Sequence, residues 1–541
     1  MVVPELRPWR AARPHVVRIA GAVRPRAARA AAAVRPRLTR AAAAATSRLA
    51  RSDRPGSPRG TRVDRPKTWQ FTATAATAGL ALAAGVVTAA GPWDSTGQRT
   101  AERDRAVALE AARGTDHGAP RGNAGTPPRG PDAPPGAASV LAGLGGTATT
   151  GRPAPTGKAL AALLDPILRS PVLGRQSASV VDAATGKRLY GTASGDALTP
   201  ASTTKIATAV AALSALGADH RLTTRAAYEP DTKEIVLVGG GDPTLTARED
   251  AQGSASLRDL AARTAAALAK RGVREVTLSY DTTLYRGSSR HPIGVNGNLA
   301  EVTPLMADEA RTDDSTGGPV RRVQDPAPDA ARTFGGFLAD HGIKASPPGP
   351  SKATTRAATL ATVSSPPLSA LVERMLTRSD NDIAEALARH TAIAVGRPAD
   401  FAGAGAAITA QLKKLGLPVK GAVIRDGSGL DRRDRLTADL LTALLVKAGD
   451  PAHPDLRSAL TGLPVAGFTG TLSGRYADGA AGVVRAKTGT LTGVNALAGT
   501  VVDRDGRLLA FAFLADGTTG QTAAEEALDK AATALASCGC R

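Results

Sequence analysis

Apolar and polar positions alternate in some parts of the chain and recur at helical spacing in others, and these patterns outline its elements. Residues 177–181 form a short β-prone run, 183–186 a turn and 187–190 a second strand. The stretch opening at Pro200-Ala201-Ser202 carries Ala207, Val210, Leu213 and Leu216 at the spacing of one helix face. A second amphipathic helix follows Ser379-Asp380-Asn381, marked by Ile383, Ala384, Leu387 and Ala388. A strand over 234–238 leads into the glycines at 239–241; no Gly-Lys-Ser/Thr follows, so this is a turn and not a phosphate loop. Further on, a strand starting at Gly482 ends in Lys487-Thr488-Gly489-Thr490. Two more strand-like runs, 496–502 and 508–514, flank the turn 503–506, and a helix over 522–536 closes the chain by packing back on that sheet.

Upstream the pattern changes character. From Thr68 to Trp93 there are 26 residues without a charge, rich in Gly, Ala, Leu and Val at their centre, and about 20 apolar residues span a bilayer. Arg62, Arg65 and Lys67 precede this stretch and Trp69 and Trp93 sit at its edges, as positive-inside and interfacial signals require. Residues 69–93 are therefore expected to be a transmembrane signal anchor or a cleaved signal peptide. The first gives a single-pass protein of the cytoplasmic membrane with its catalytic part outside the cell, the second a secreted one. Residues 94–157, rich in Pro and Gly, read as a linker.

The chain has 541 residues and a formal net charge of +20, which at first suggests a nucleic-acid binder. The location of the charge argues otherwise. Residues 1–68 hold sixteen Arg and one Lys against Glu5, Asp53 and Asp64, a net +14. That segment is rich in Ala and Pro and poor in large apolar residues, so it reads as a basic, disordered cytoplasmic tail beside the membrane. No nucleic-acid partner is expected. Cys538 and Cys540 form a C-x-C at the C-terminus. It is too small for a metal site, which needs about four ligands, and leaves a local disulfide open in an exported protein.

Three short motifs carry chemistry. Ser202 and Lys205 are three residues apart at the start of a helix, which places the amine one turn above the hydroxyl on the same face. A lysine acts as a base only where burial and neighbouring cations depress its pKa. Ser379-Asp380-Asn381 stands at the start of the second helix, and Lys487-Thr488-Gly489 at the end of a strand. S-x-x-K, S-D-N and K-T-G each recur by chance, but in this order they form the signature of penicillin-binding proteins and class A β-lactamases.

From about Lys158 onwards the chain resembles peptidase family S13, the D-alanyl-D-alanine carboxypeptidases/endopeptidases known as class C low-molecular-mass penicillin-binding proteins. The 177 residues from Ser202 to Ser379 leave room for the insertions typical of that family, and 108 separate Ser379 from Lys487. Gly239-Gly240-Gly241-Asp242-Pro243-Thr244-Leu245, Asp426-Gly427-Ser428-Gly429-Leu430 and Gly470-Thr471-Leu472 are also similar to family stretches.

The resemblance implies an α/β penicillin-binding/β-lactamase-like transpeptidase fold, an antiparallel five-stranded sheet flanked by helices. It would be discontinuous, with a catalytic domain over 158–217 and 364–541 and one or two smaller domains inserted at 218–363. It implies a serine-type D-Ala-D-Ala carboxypeptidase, with endopeptidase action on peptidoglycan stem peptides, that needs no metal or cofactor and is acylated by β-lactam antibiotics. By the same resemblance Ser202 is the nucleophile, Lys205 the general base, Ser379 a proton relay and Asn381 a ligand of Lys205 and of the substrate amide. Lys487 would hold positive charge, Thr488, Gly489 and Thr490 would bind the terminal carboxylate end, and the Ser202 and Thr490 amides would form the oxyanion hole. Arg432 is a further candidate for a substrate carboxylate. The stretch His291-Pro292-Ile293-Gly294-Val295-Asn296-Gly297-Asn298 lacks the acidic and aromatic cluster with which relatives recognise a diamino acid side chain. The alternatives are a β-lactamase-like serine hydrolase, which the long insert and the lack of a clear deacylating glutamate motif disfavour, and a non-catalytic peptidoglycan-binding or penicillin-sensing protein.

Overall fold

The computed structural model describes residues 154–476 and 479–540. The expected basic tail (1–68), membrane segment (69–93) and all but the end of the linker lie outside the described residues. Among the described residues no helix is long and apolar enough to cross a membrane.

Helix α1 (Gly157–Leu168) starts inside the stretch read as linker, because Thr156 caps it by accepting from the Ala159 amide and Leu160, Leu164 and Leu168 form a buried stripe. Strands β1 (Arg175–Asp182) and β2 (Arg188–Thr192) follow. The turn between them is set by Asp182, whose Oδ1 accepts from the Ala184 and Thr185 amides. A 3-10 turn (Ala201–Thr203) then leads into α2 (Thr204–Leu216).

The chain next builds a second sheet from β3 (Thr223–Glu229), β4 (Glu234–Val238), β5 (Glu275–Asp281), the two-residue β6 (Lys344–Ala345) and β7 (Gly349–Pro350), and β8 (Ala358–Ser364). Its order is β6-β5-β4-β3-β8, with β7 also on β5 and β4 parallel to β5. Helices α3 (Leu257–Ala269) and α4 (Pro326–Asp340) share a core with it through Leu260, Leu268, Phe334 and Leu338 packed against Ile235, Leu237 and Leu278.

After β8 come α5 (Leu368–Arg378), α6 (Asn381–Ala394), α7 (Phe401–Lys414), α8 (Ala438–Gly449) and the short α9 (Ser458–Thr461). Strands β9 (Val484–Leu491), β10 (Val494–Val502) and β11 (Leu508–Asp516) and helix α10 (Gln521–Ala536) end the fold. The first sheet runs β2-β1-β11-β10-β9, antiparallel throughout. Lys487 therefore lies within β9, not at the end of a strand.

The period-2 pattern of β11 explains the layering. Ala510, Ala512 and Leu514 join a core with α2, α6 and α8, whereas Leu509, Phe511, Phe513 and Ala515 join a separate core with α1 and α10. Helices thus cover both faces, and each fully buried Leu or Phe contributes roughly 1.5–3 kcal/mol. Cys538 is paired with Cys540 just beyond the end of α10.

Candidate active site

Ser202 sits in the 3-10 turn ahead of α2, not within the α-helix, and Lys205 projects from the first turn of α2. The turn is held against two other segments. Ala201 has φ +46 and is fully buried. Gly429 has φ +81, and a Cβ there would fall 1.9 Å from the Ala201 carbonyl oxygen. On the other side a Cβ at Gly489 would fall 2.6 Å from the Pro200 carbonyl oxygen. The glycine of Lys487-Thr488-Gly489 is what lets β9 lie this close to the serine turn.

Lys205 is fully buried. Its Nζ is 3.1 Å from Ser202 Oγ, 2.6 Å from Asn381 Oδ1 and 2.7 Å from the Ser428 carbonyl oxygen. Burial pushes its pKa down to about 8, while the carboxylates of Asp426, Glu385, Asp380 and Asp382 oppose that shift. A neutral amine here donates its two hydrogens to Asn381 and Ser428 and directs its lone pair at the Ser202 hydroxyl.

Ser379 ends α5 in the left-handed region (φ +57), and Asp380 caps α6 by accepting from the Ile383 amide at 3.0 Å. This back-to-back arrangement places Ser379 and Asn381 beside the serine turn. Lys487, also fully buried, donates to Ser379 Oγ at 2.9 Å and to the Thr488 carbonyl at 2.8 Å. Burial, then the neighbouring Lys205, holds its amine well below the usual lysine range. Its neighbours include no carboxylate partner among the described contacts, whereas Lys205 faces four, so the resting proton favours Lys205.

A cleft of about 450 Å³ opens over these groups and is lined by Ser202, Ser379, Asn381, Thr488 and Thr490. The segment between β5 and α4 also lines it, through Asn298, Arg311 and Arg322. That segment is anchored to α6: Asn381 donates to the Asn298 carbonyl at 2.8 Å, Asp382 accepts from the Ala300 amide at 3.0 Å and pairs with Arg322 at 2.8 Å. Burial raises Asp382 to about 6 against the pull of Arg322.

Of the residues singled out in the sequence, Ser202, Lys205, Ser379, Asn381, Lys487, Thr488 and Thr490 converge on one cleft, with Gly489 at its back. Arg432 does not join them. Its guanidinium donates to the Thr492 carbonyl at 2.6 Å, and it is not part of the cleft lining. Thr488 donates to Thr471 Oγ1 at 2.9 Å and Thr490 to Glu525 at 3.2 Å. Glu525, on α10, has no sequence signal, because only packing of α10 beside β9 brings it there. Ser428 could have been suspected from Asp426-Gly427-Ser428-Gly429, but it acts through its carbonyl, which no motif distinguishes.

Two buried trios, His291-Glu385-Asp426 and Glu309-Asp380-Asp382, have ligand-like spacing. Their groups are engaged by the chain itself: His291 bonds Asp426 at 2.9 Å, Glu385 accepts backbone amides, and Arg311 and Arg374 pair with Glu309.

The model of the D-Ala-D-Ala carboxypeptidase 3 (S13) family matches residues 160–299 and 313–537. Carboxypeptidase DacB of Mycolicibacterium smegmatis is 38% identical over 408 residues, covering 72% of this chain and 86% of that protein. A carboxypeptidase of Mycobacterium tuberculosis is 36% identical over 431 residues, covering 76% and 91%. The crystal structure of penicillin binding protein 4 from Haemophilus influenzae superposes with a TM-score of 0.56 at 22% identity, covering 70% of this chain and 98% of that one. The fold is thus that of the penicillin-binding proteins.

Proposed function

Because the chain belongs to the D-Ala-D-Ala carboxypeptidase S13 family and is a serine-type D-Ala-D-Ala carboxypeptidase, we propose that Ser202 is its acylated nucleophile. Lys205 is then the base that removes the hydroxyl proton. The observation that carries this reading is the position of Lys205 Nζ, 3.1 Å from Ser202 Oγ with two carbonyl oxygens occupying its other directions.

The substrate lies extended along the outer edge of β9. Val465 and Pro464 pair with that edge at Arg485 and Ala486, and the stretch from Lys487 onward borders the cleft. The terminal carboxylate meets the Thr488 and Thr490 hydroxyls and raises the pKa of Lys487. Lys205 acts in its neutral form, and a positive Lys487 beside it favours that form. Ser202 attacks the carbonyl of the D-Ala-D-Ala bond, and its proton passes to Lys205. The Ser202 and Thr490 amides stabilise the oxyanion; in related chemistry one such donor is worth about 3 kcal/mol. Ser379, held by Lys487, passes the proton of Lys205 to the leaving amine and the C–N bond breaks; Lys205, neutral again, takes a proton from the water that attacks the acyl carbon and returns it to Ser202 as the ester bond breaks.

Peptidoglycan stem peptides are the substrate class, with crosslink cleavage as the endopeptidase branch of the same chemistry. β-Lactams acylate Ser202, in keeping with the β-lactam complex of Haemophilus influenzae penicillin binding protein 4. The uncharged stretch 69–93, basic on its N-terminal side, supports a catalytic region outside the cytoplasmic membrane. The test uses purified muropeptides and fluorescent penicillin with the wild type and Ser202→Ala. The wild type is expected to be labelled, to remove one D-Ala from pentapeptide monomers and to convert crosslinked dimers to monomers, whereas the variant does none of these. Labelling that survives in Ser202→Ala overturns the assignment.

A further inference from the structure

Behind Lys205 the structure holds a charged group that the three motifs do not include. Glu385 lies on α6, four residues after Asn381, and is fully buried. Its Oε1 accepts from the Ser428 amide at 2.9 Å, and both carboxylate oxygens lie 3.1 Å from the Gly427 amide. Thr208 Oγ1 donates to the Gly427 carbonyl at 2.7 Å, so the same short stretch is tethered from two helices. The carbonyl it presents, that of Ser428, is the one 2.7 Å from Lys205 Nζ.

This geometry has a direct consequence for the base. A lone pair on Lys205 faces Ser202 only if both other directions around Nζ are filled by fixed acceptors. Asn381 supplies one, through its own helix. The Ser428 carbonyl supplies the other; it belongs to a loop in which Asp426 accepts from the Gly429 and Asp431 amides, whereas the Gly427 and Ser428 amides are held by Glu385. Two amides aimed at one carboxylate form a site for the ionised acid.

We infer that Glu385 is a positioning residue for the catalytic lysine: it fixes the Gly427–Ser428 backbone so that the Ser428 carbonyl orients the Lys205 amine, and its charge sets the pH at which that amine becomes a base. The inference rests on the reading of Lys205 as the base of acylation. The groups facing Glu385 and Lys205 are Asp426, Asp431 and Asp434 on the loop before α8, His291 from the segment after β5, Asp380, Asp382 and Arg389 on α6, and Lys487 on β9. Burial and Asp426 lift Glu385 to about 7, so its charge is in place at the pH of about 8 where Lys205 loses its proton.

The experiment measures the rate of acylation by fluorescent penicillin between pH 5.5 and 10 for the full chain and for Glu385→Gln, with folding followed by circular dichroism. Gln keeps the shape and one acceptor but removes the charge. The plateau rate is expected to fall at least tenfold. The pH of half-rise is expected to move down by at least half a unit, since loss of a buried anion lowers the pKa of Lys205. A plateau within threefold of the wild type overturns the inference. So does a fallen plateau with an unmoved half-rise, which marks general loosening.

If Glu385→Gln does not fold, Glu385→Asp keeps the charge but withdraws the carboxylate from the Gly427 and Ser428 amides. Its plateau is expected to fall at least threefold with the half-rise unmoved, and a wild-type plateau overturns the inference. Failure of the wild type itself to label, or labelling of Ser202→Ala, defeats the underlying reading instead, so the two failures are distinct.

Discussion

Lys205 makes the residue-level logic of the site testable by pH. Its folded pKa of about 8 lies below the ordinary value of 10.5, and only the neutral amine can take the Ser202 proton. The neutral fraction therefore rises roughly tenfold per pH unit below 8 and levels off above it. The acylation rate of the wild type by a β-lactam is expected to follow that curve, measured by stopped-flow or gel fluorescence. A rate flat from pH 6 to 9 removes Lys205 as the titrating base. Lys487 works differently: with no carboxylate partner among the described residues, it is the easier of the two to deprotonate. The two lysines of the motifs thus read alike in sequence but are separated by their neighbours, with four carboxylates for one and, among the described residues, none for the other.

At the scale of elements the site is an arrangement of close backbone contacts. The serine turn is gripped between β9 and the loop at Gly429, and each contact depends on a glycine whose Cβ would overlap a carbonyl oxygen. Gly489→Ala forces β9 away from Pro200 by several tenths of an ångström. Because β9 is an edge strand with a single sheet neighbour, β10, the fold can absorb that shift while the catalytic geometry does not. The expected result is a loss of acylation of about 10–100-fold with near-native circular dichroism; acylation within twofold of the wild type shows that the contact is not required. Strand and helix positions here were largely legible in the sequence, since β1, β10, β11 and α10 fall where period-2 and period-3.6 patterns placed them. The 3-10 turn at Ser202 was not. A single turn has no periodicity, and what bends the chain there is the approach of Gly429 and Gly489, both distant in sequence.

For the whole folded region, the segment between β5 and α4 returns to line the cleft and is anchored to α6. Its Arg322 and the Asp382 of α6 form an ion pair in which both side chains are about 2% exposed. Arg322→Ala strands a buried carboxylate, and the expected loss is about 3–5 kcal/mol of stability, read as a lower midpoint in urea unfolding. A midpoint unchanged within error means the pair does not hold the segment down. The sequence by itself determined the order of the three motifs, the helix that follows each of the first two, the strand that carries the third and the concentration of positive charge ahead of the folded region. Those properties are local, set by spacing along the chain. Only the tertiary structure decided that Arg432 turns to the Thr492 carbonyl, that Asn298, Arg311 and Arg322 line the cleft, and that Glu385 and the Ser428 carbonyl stand behind Lys205. These depend on contacts between segments tens to hundreds of residues apart, and a pattern read along one segment contains no information about which carbonyl or carboxylate another will bring against it.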